Sequence, residues 1–339
     1  MEQLAVLGAG AWGTTVASLA ASNTSAILWA RQPELATRIN ADHENPDYLP
    51  GAVLPKKLQA TSDIREAIED AEAILVGVPS HCHRPVLKSA RRFIPSSTPV
   101  ISLAKGIEMA GGLRMSQVIA EVLEGHDPER IGALSGPNLS AEIMKGHPAA
   151  TVVALPDPEA ARRVQSLLST PLFRVYAGTD VVGVEVAGSV KNVIAIAAGA
   201  AMGLGFGMNT VAALTTRGLA EMTRLGVALG GEILTFGGLA GVGDLMATCA
   251  GPLSRNHQVG RRLGEGQGIN RILAKMTSVA EGVKTTRAVL DLAARHEVEM
   301  PITEAVGRII YEGETVEQAM ASLLDRTPKP ETHGMTYGA

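Results

Sequence analysis

Short β-branched runs alternate strictly with amphipathic helical stretches from the N-terminus to about residue 180, and no other feature of this 339-residue chain restricts its fold as far. The strand candidates are Leu4 to Leu7, Ala26 to Trp29, Ala73 to Val78, Val100 to Leu103, Ile131 to Leu134, Thr151 to Leu155 and Phe173 to Tyr176. Helix-like stretches lie between them: Ala11 to Ala21, Ser62 to Glu69 with Ser62 as N-cap, Arg84 to Phe93, Arg114 to Glu124 and Pro158 to Leu168. Such alternation demands right-handed crossovers, so it predicts a doubly wound, mainly parallel sheet covered on both faces. Beyond that point the strand pattern stops. Helical periodicity continues over Val182 to Ala201, Asn209 to Leu229, Asn256 to Leu263, Thr285 to Arg295, Ile302 to Tyr311 and Thr315 to Leu324, with a Gly-rich turn after the second stretch. The segment from Thr327, with Pro328 and Pro330, has little to bury and reads as a mobile tail. The expected organisation is an α/β domain over residues 1–180, an all-α domain over 181–326 and the tail 327–339. With 46% hydrophobic residues the chain has apolar material for two ordinary cores.

Charge narrows the partners. Lys and Arg total 30 against 34 Asp and Glu, a net charge of -4, so no overall attraction to nucleic acid or an anionic membrane is expected and any anion must be gripped locally. Cys82 and Cys249 lie far apart and outside any C-x-x-C spacing, which points to a reducing compartment and no zinc ribbon. The opening MEQLAVLGAG reads as a first strand rather than a secretion leader, so a cytoplasmic location is expected. The apolar stretch Val186 to Phe206 carries Ser189, Lys191, Asn192 and several glycines, which suits a buried helix better than a membrane span.

Gly8-Ala9-Gly10-Ala11-Trp12-Gly13 is a G-x-G-x-x-G loop placed between the first strand and the first helix. In that setting the glycines serve a tight turn, close approach of a pyrophosphate to the backbone, and helix-on-strand packing, with the phosphates on the helix N-terminus. The expected fold class is therefore α/β, a Rossmann-type doubly wound sheet followed by an all-α domain, with a nicotinamide dinucleotide as cofactor. The second strand ends at Arg31, where an acidic residue would hold the adenosine ribose of NAD. An arginine there can pair with the 2′-phosphate of NADP, or stack over adenine and leave NAD usable as well.

Lys191 and Asn192 sit inside the apolar run Val184 to Ala197. A buried ammonium must be paired or able to give up its proton, and desolvation toward the neutral form suits a group that shuttles a proton to a carbonyl oxygen. Asp244 and Thr248 stand four residues apart and share a helical face if that segment is helical. Ser254-Arg255-Asn256 precedes a helix-like stretch and combines a guanidinium, an amide and free backbone N–H groups into an anion seat.

In combination these residues become specific. Gly8 to Thr14, Val78-Pro79-Ser80-His81, Ala104-Lys105-Gly106, Ser135-Gly136-Pro137, Gly183 to Asn192, Thr215-Thr216-Arg217-Gly218, Gly238 to Leu245 and Ser254-Arg255-Asn256 occur in the order seen in bacterial NAD(P)-dependent glycerol-3-phosphate dehydrogenase. The chain resembles that family along nearly its whole length, failing only at the tail. The resemblance implies reduction of dihydroxyacetone phosphate to sn-glycerol 3-phosphate with NADP(H) or NAD(H), feeding glycerolipid synthesis, in a homodimer formed through the helical domain. It implies Lys191 as proton donor and acceptor, with Asp244 holding the lysine and Asn192 and Thr248 around the reacting carbon. By the same resemblance Lys105, Arg255 and Asn256 hold the substrate phosphate, Gly136 and Asn138 line the substrate, and Ala11, Trp12, Arg31, Lys105, Ser140, Arg255, Val279 and Glu281 face the cofactor. Ala11 replaces a frequent serine in the glycine loop, and Asn138 replaces a threonine or serine; neither change removes a charge.

His81-Cys82-His83 lacks companion ligands and is expected to shape the nicotinamide pocket without a metal. Lys88, Arg91 and Arg92 read as a solvated face, and Met202, Met208, Met222, Met246 and Met320 as core filler. Two other readings stay open at this point: a hydroxyacid or 6-phosphogluconate type dehydrogenase, and a dinucleotide-binding regulator without catalysis.

Overall fold

The structure is a computed structural model that describes residues 3–251, 254–276, 280–331 and 333–334. It divides into two compact units, Met1–Lys105 with Leu113–Val181, and Gly106–Gly112 with Val182–Ala339.

In the first unit the described residues form an eight-stranded sheet: β1 Gln3–Leu7, β2 Ser25–Trp29, β3 Leu58–Thr61, β4 Ala73–Val76, β5 Val100–Ser102, β6 Ile131–Ser135, β7 Ala149–Ala154 and β8 Phe173–Gly178. Their spatial order is β3-β2-β1-β4-β5-β6-β7-β8, and every pair is parallel except β6 with β7. The helices are α1 Ala11–Ala20, α2 Pro33–Asp42, α3 Ile64–Ile68, α4 Ser80–Ala90, α5 Met115–Val122, α6 Ser140–Ile143 and α7 Pro158–Leu168. The period of two along β1 sends Leu4 and Val6 into a core with Val16, Val164 and Leu167, and Ala5 and Leu7 into a second with Leu87, Val118 and Ile119. One sheet thus buries both faces, as a parallel sheet must. β3 and α2 escape the sequence pattern: β3 is a four-residue edge strand with only Leu58 and Ala60 buried, and α2 buries no more than Leu35, Ala36 and Ile39. The start of α3 also differs from expectation. Asp63, not Ser62, is the N-cap and accepts from the Arg65 N–H at 2.8 Å, because a carboxylate also complements the positive end of the helix.

The second unit carries α8 Val181–Gly203, α9 Met208–Ala228, α10 Ile233–Phe236, α11 Asp244–Ala250, α12 Arg255–Gly264, α13 Ile269–Ala274, α14 Glu281–Arg295, α15 Pro301–Gly307 and α16 Val316–Leu324. α8 is long and apolar enough to cross a membrane, yet 89% of its most apolar window is buried inside the protein. It is the central core helix: Val186, Val190 and Ile194 enter one apolar cluster, Val193, Ile196 and Ala200 another. Gly199 on α8 and Gly260 on α12 let the two backbones touch, since a Cβ at either would stand 2.1 Å from the His257 oxygen or 2.0 Å from the Ile196 oxygen. Gly106–Gly112 joins this unit through Ile107 in its core and the Arg295 guanidinium, which donates to the Gly111 oxygen at 3.2 Å. Within the tail, Lys329 reaches Glu299 at 2.6 Å and Arg217 donates to the Glu331 oxygen at 3.0 Å. Of the methionines expected in the core, Met222 is fully buried while Met208 and Met246 are 66% and 60% exposed. Their side chains leave the apolar face of their helices, which periodicity of a single residue type cannot reveal.

Glu221 is buried in the wall of α9 and its carboxylate accepts from the N–H groups of Ile302 (2.6 Å) and Thr303 (3.1 Å) and the Thr303 hydroxyl (3.0 Å), capping α15. Burial pushes its pKa up to about 7 against the pull of those hydrogen bonds and Arg224. A folded pKa above the unfolded value means the folded state holds the extra proton between pH about 4.5 and about 7, so this group's contribution falls as pH rises through that window. Relative to Glu221→Gln, wild-type stability measured by denaturant titration is expected to decline by about 3 kcal/mol across it. A difference between the two proteins that stays flat with pH would refute the assignment.

Candidate active site

The first unit presents the glycine loop where β1 meets α1. Gly8 adopts φ +122°, and a Cβ at Gly13 would stand 2.0 Å from the Gly8 oxygen, so neither position takes a side chain without moving the loop. Among the described residues beyond its chain neighbours, nothing stands within 4 Å of where a Gly10 Cβ would be, which leaves one side of the turn open. Gly10 is the N-cap of α1, a ten-residue helix whose first turn has no side-chain cap and no acidic residue. The Trp12 Nε1–H is buried without a partner among the described residues. Uncapped N–H groups at an open glycine turn and an orphaned indole donor fit a dinucleotide's phosphates and its neighbouring polar groups. Arg31 is exposed just past the end of β2.

In the same unit, the exits of β5 and β6 draw Lys105, Gly136 and Asn138 together. Lys105 Nζ donates to the Gly136 oxygen at 2.8 Å. Asn138 Nδ2 donates to Thr151 Oγ1 at 2.9 Å, and that hydroxyl in turn donates to the Ser135 oxygen at 2.9 Å. The Asn138 Oδ1 is buried without a partner among the described residues, an acceptor the structure leaves for a ligand hydroxyl or amide. Ser140 opens α6. His83 is buried, its ring between the Pro79 oxygen (3.4 Å) and Ser102 Oγ (3.0 Å), while Lys88, Arg91 and Arg92 are exposed as expected.

The second unit gathers the remaining residues around α8. Lys191 Nζ donates to Asp244 Oδ1 and to Thr248 Oγ1, each at 2.6 Å. The Thr248 hydroxyl in turn donates a hydrogen bond to the Asp244 backbone oxygen at 2.6 Å. The side chains of Lys191 and Asp244 are only 6% and 3% exposed, so each charge depends on the other for solvation. An ammonium has three N–H groups, and the described residues take two. Asp244 and Thr248 share one face because α11 is helical there, entered through a π-helical turn over Leu239–Gly243 that inserts an extra residue just before the carboxylate. At the next residue of α8, Asn192 Oδ1 accepts from Asn256 Nδ2 at 2.9 Å, and Asn256 Oδ1 accepts from the Gly282 N–H at 3.0 Å. The close α8–α12 packing carries Asn256 there. Ser254 is the N-cap of α12, its hydroxyl accepting from the His257 N–H at 3.3 Å, and Arg255 is exposed on the first turn. Glu281 begins α14; Val279 lies outside the described residues. Cys249 packs by the same cluster, where burial raises its thiol pKa to about 12 and keeps it protonated.

The structure brings Asn45 to the glycine loop, a residue the sequence reading passed over. Nothing in the linear pattern marks it, because its partners are 31 and 36 residues away.

A glycine-loop Rossmann unit and a helical unit with a buried lysine–aspartate pair define the class of nicotinamide-dependent dehydrogenases. The chain belongs to the NAD-dependent glycerol-3-phosphate dehydrogenase family: residues 3–161 match its N-terminus and residues 180–321 its C-terminus. It is 50% identical to a glycerol-3-phosphate dehydrogenase [NAD(P)+] of Thermobifida fusca over 99% of this chain and 100% of that one. A protein of the same name from Corynebacterium urealyticum is 51% identical over 98% and 100%. Among solved structures, glycerol-3-phosphate dehydrogenase of Coxiella burnetii superposes with a TM-score of 0.90 at 36% identity, covering 96% of this chain and 99% of that one. The hydroxyacid and regulator readings give way to this membership.

Proposed function

We propose that the chain reduces dihydroxyacetone phosphate to sn-glycerol 3-phosphate with NAD(P)H, and that Lys191 supplies the proton. The observation that carries this reading is the Lys191 ammonium fixed at 2.6 Å from both Asp244 and Thr248 in a buried position. Held by two of its N–H groups, the amine has one direction left in which to donate, and a ketone oxygen placed there receives the proton as it gains negative charge. Asp244 orients the amine, and Thr248 completes its shell. When bound at the glycine loop, the reduced nicotinamide supplies the hydride. Gly8, Gly10, Ala11, Trp12, Gly13 and Arg31 hold it, together with Lys105, Ser140, Arg255, Val279 and Glu281. Lys105, Arg255 and Asn256 grip the substrate phosphate, with Ser254 setting the start of α12, and Gly136, Asn138 and Asn192 line the triose. A fixed phosphate orients a small ketone and converts remote binding into alignment at C2.

The product is the backbone precursor of glycerolipids. We further propose a cytoplasmic homodimer formed through the helical unit, which is supported by apolar side chains left exposed there, Met208 and Leu234 among them.

A steady-state assay of dihydroxyacetone phosphate with NADH and NADPH in parallel tests the activity; no oxidation of either cofactor would end the reading. Arg31→Asp is expected to raise KM for NADPH about 10- to 100-fold and leave NADH nearly unchanged, since only the 2′-phosphate loses a charged partner. Equal effects on both cofactors would remove Arg31 from phosphate recognition.

A further inference from the structure

We propose that Asn45 is the positioning residue of the phosphate-binding turn, fixing the direction in which the Gly10 N–H donates to the dinucleotide. Asn45 is wholly buried on the connection between α2 and β3. Its Nδ2 donates one hydrogen to the Ala9 carbonyl oxygen at 2.9 Å and the other to Thr14 Oγ1 at 2.8 Å. Ala9 lies between the first two glycines of the loop, and Thr14 follows the third.

The stereochemistry of the peptide does the rest. In a trans peptide unit the C=O and the following N–H point in opposite directions, and the chain has no cis bond among the described residues. Pinning the Ala9 oxygen inward on Asn45 therefore turns the Gly10 N–H away from Asn45, in a turn where, among the described residues beyond its chain neighbours, nothing stands within 4 Å of the place a Gly10 Cβ would take. That peptide links Ala9 to Gly10, and the glycine's freedom in φ leaves it able to flip unless the carbonyl is held. A donor fixed before the ligand arrives spares the ordering of the turn on binding.

Two observations argue that the amide is there for its donors. Its Oδ1 is buried with no partner among the described residues, a cost that any apolar residue would avoid. Its own segment is independently held: the Leu49 N–H donates to the Asn45 backbone oxygen at 2.7 Å, and the Leu54 N–H to the His43 oxygen at 2.8 Å. The amide is thus presented from a fixed arm and is not dragged into place by the loop. Aspartate keeps the shape of asparagine and cannot donate to a carbonyl when ionised, so it isolates the donors.

The inference rests on the cofactor reading of the glycine loop and is tested by binding alone. NADPH and ADP affinities of wild type, Asn45→Asp and Asn45→Leu are measured by calorimetry, with unliganded thermal stability and KM for dihydroxyacetone phosphate at saturating NADPH recorded in parallel. Both variants are expected to bind NADPH and ADP about tenfold or more weakly, with KM for the ketone changed less than about twofold. If a variant loses stability but binds NADPH within about twofold of wild type, Asn45 serves only the fold and the proposal is overturned. Should both variants fail to fold, the wild-type amide spectrum decides: the Gly10 resonance must move on adding ADP, and an unmoved Gly10 overturns the proposal. Wild type that binds NADPH yet reduces no dihydroxyacetone phosphate would count against the enzymatic reading and leave Asn45 testable.

Discussion

Lys191→Ala is expected to lower kcat by roughly 10³-fold or more while NADPH affinity stays within a few-fold of wild type, because general-acid assistance of this kind contributes about 10²- to 10⁴-fold. The variant also strands the Asp244 carboxylate, 3% exposed, without its counter-charge. Breaking a buried pair by removing one partner costs about 3–5 kcal/mol, so a lower melting temperature accompanies the loss of turnover. The two effects separate in the double variant Lys191→Met with Asp244→Asn, which removes both charges: stability recovers and turnover does not. Near-normal kcat in either variant would dismiss Lys191 as the proton donor. Recovery of turnover along with stability in the double variant would show that the single change acted only through folding.

The second large effect is expected at Arg255. It sits exposed on the first turn of α12, at the helix start where Ser254 caps the His257 N–H and leaves the earlier N–H groups for an anion. Arg255→Ala is expected to raise KM for dihydroxyacetone phosphate roughly 10- to 100-fold, the value of one or two charge-assisted hydrogen bonds. Selectivity for the phosphorylated ketone over dihydroxyacetone shrinks with it, since the unphosphorylated compound never used the guanidinium. Part of the effect falls on kcat, because the phosphate grip is what aligns C2. An unchanged ratio of the two ketones' kcat/KM values would rule out a phosphate contact by this residue.

Lys191 and Arg255 were both legible in the sequence, though for different reasons. A lysine inside an apolar helical run violates the rule that charges stay outside, and such a violation marks a paired or working group without any knowledge of its partner. Arg255 belongs to a local triplet before a helix, so its setting could be read from neighbours in the chain. Asp244 was legible only as a candidate, since nothing in the linear pattern says that a residue 53 positions beyond Lys191 will meet it. The methionines show the opposite failure. Their type suggested core packing, but Met208 and Met246 face outward, because residue type sets a tendency and the helix's rotation about its axis decides the outcome.

What the chain determined by itself are the properties that repeat or act over a few residues. Period-two and period-3.6 patterning delivered seven of the eight strands and most of the longer helices, and the glycine spacing delivered the loop at β1, because hydrogen-bond geometry and steric allowance are local. Only the tertiary structure decided the sheet's lone antiparallel step between β6 and β7, the edge strand β3, the Asn45 grip on the glycine loop and the Lys191–Asp244–Thr248 cluster. Each of these joins residues far apart in sequence, and such contacts are selected by how whole layers bury their apolar faces, a sum over the fold that no short window of the chain contains.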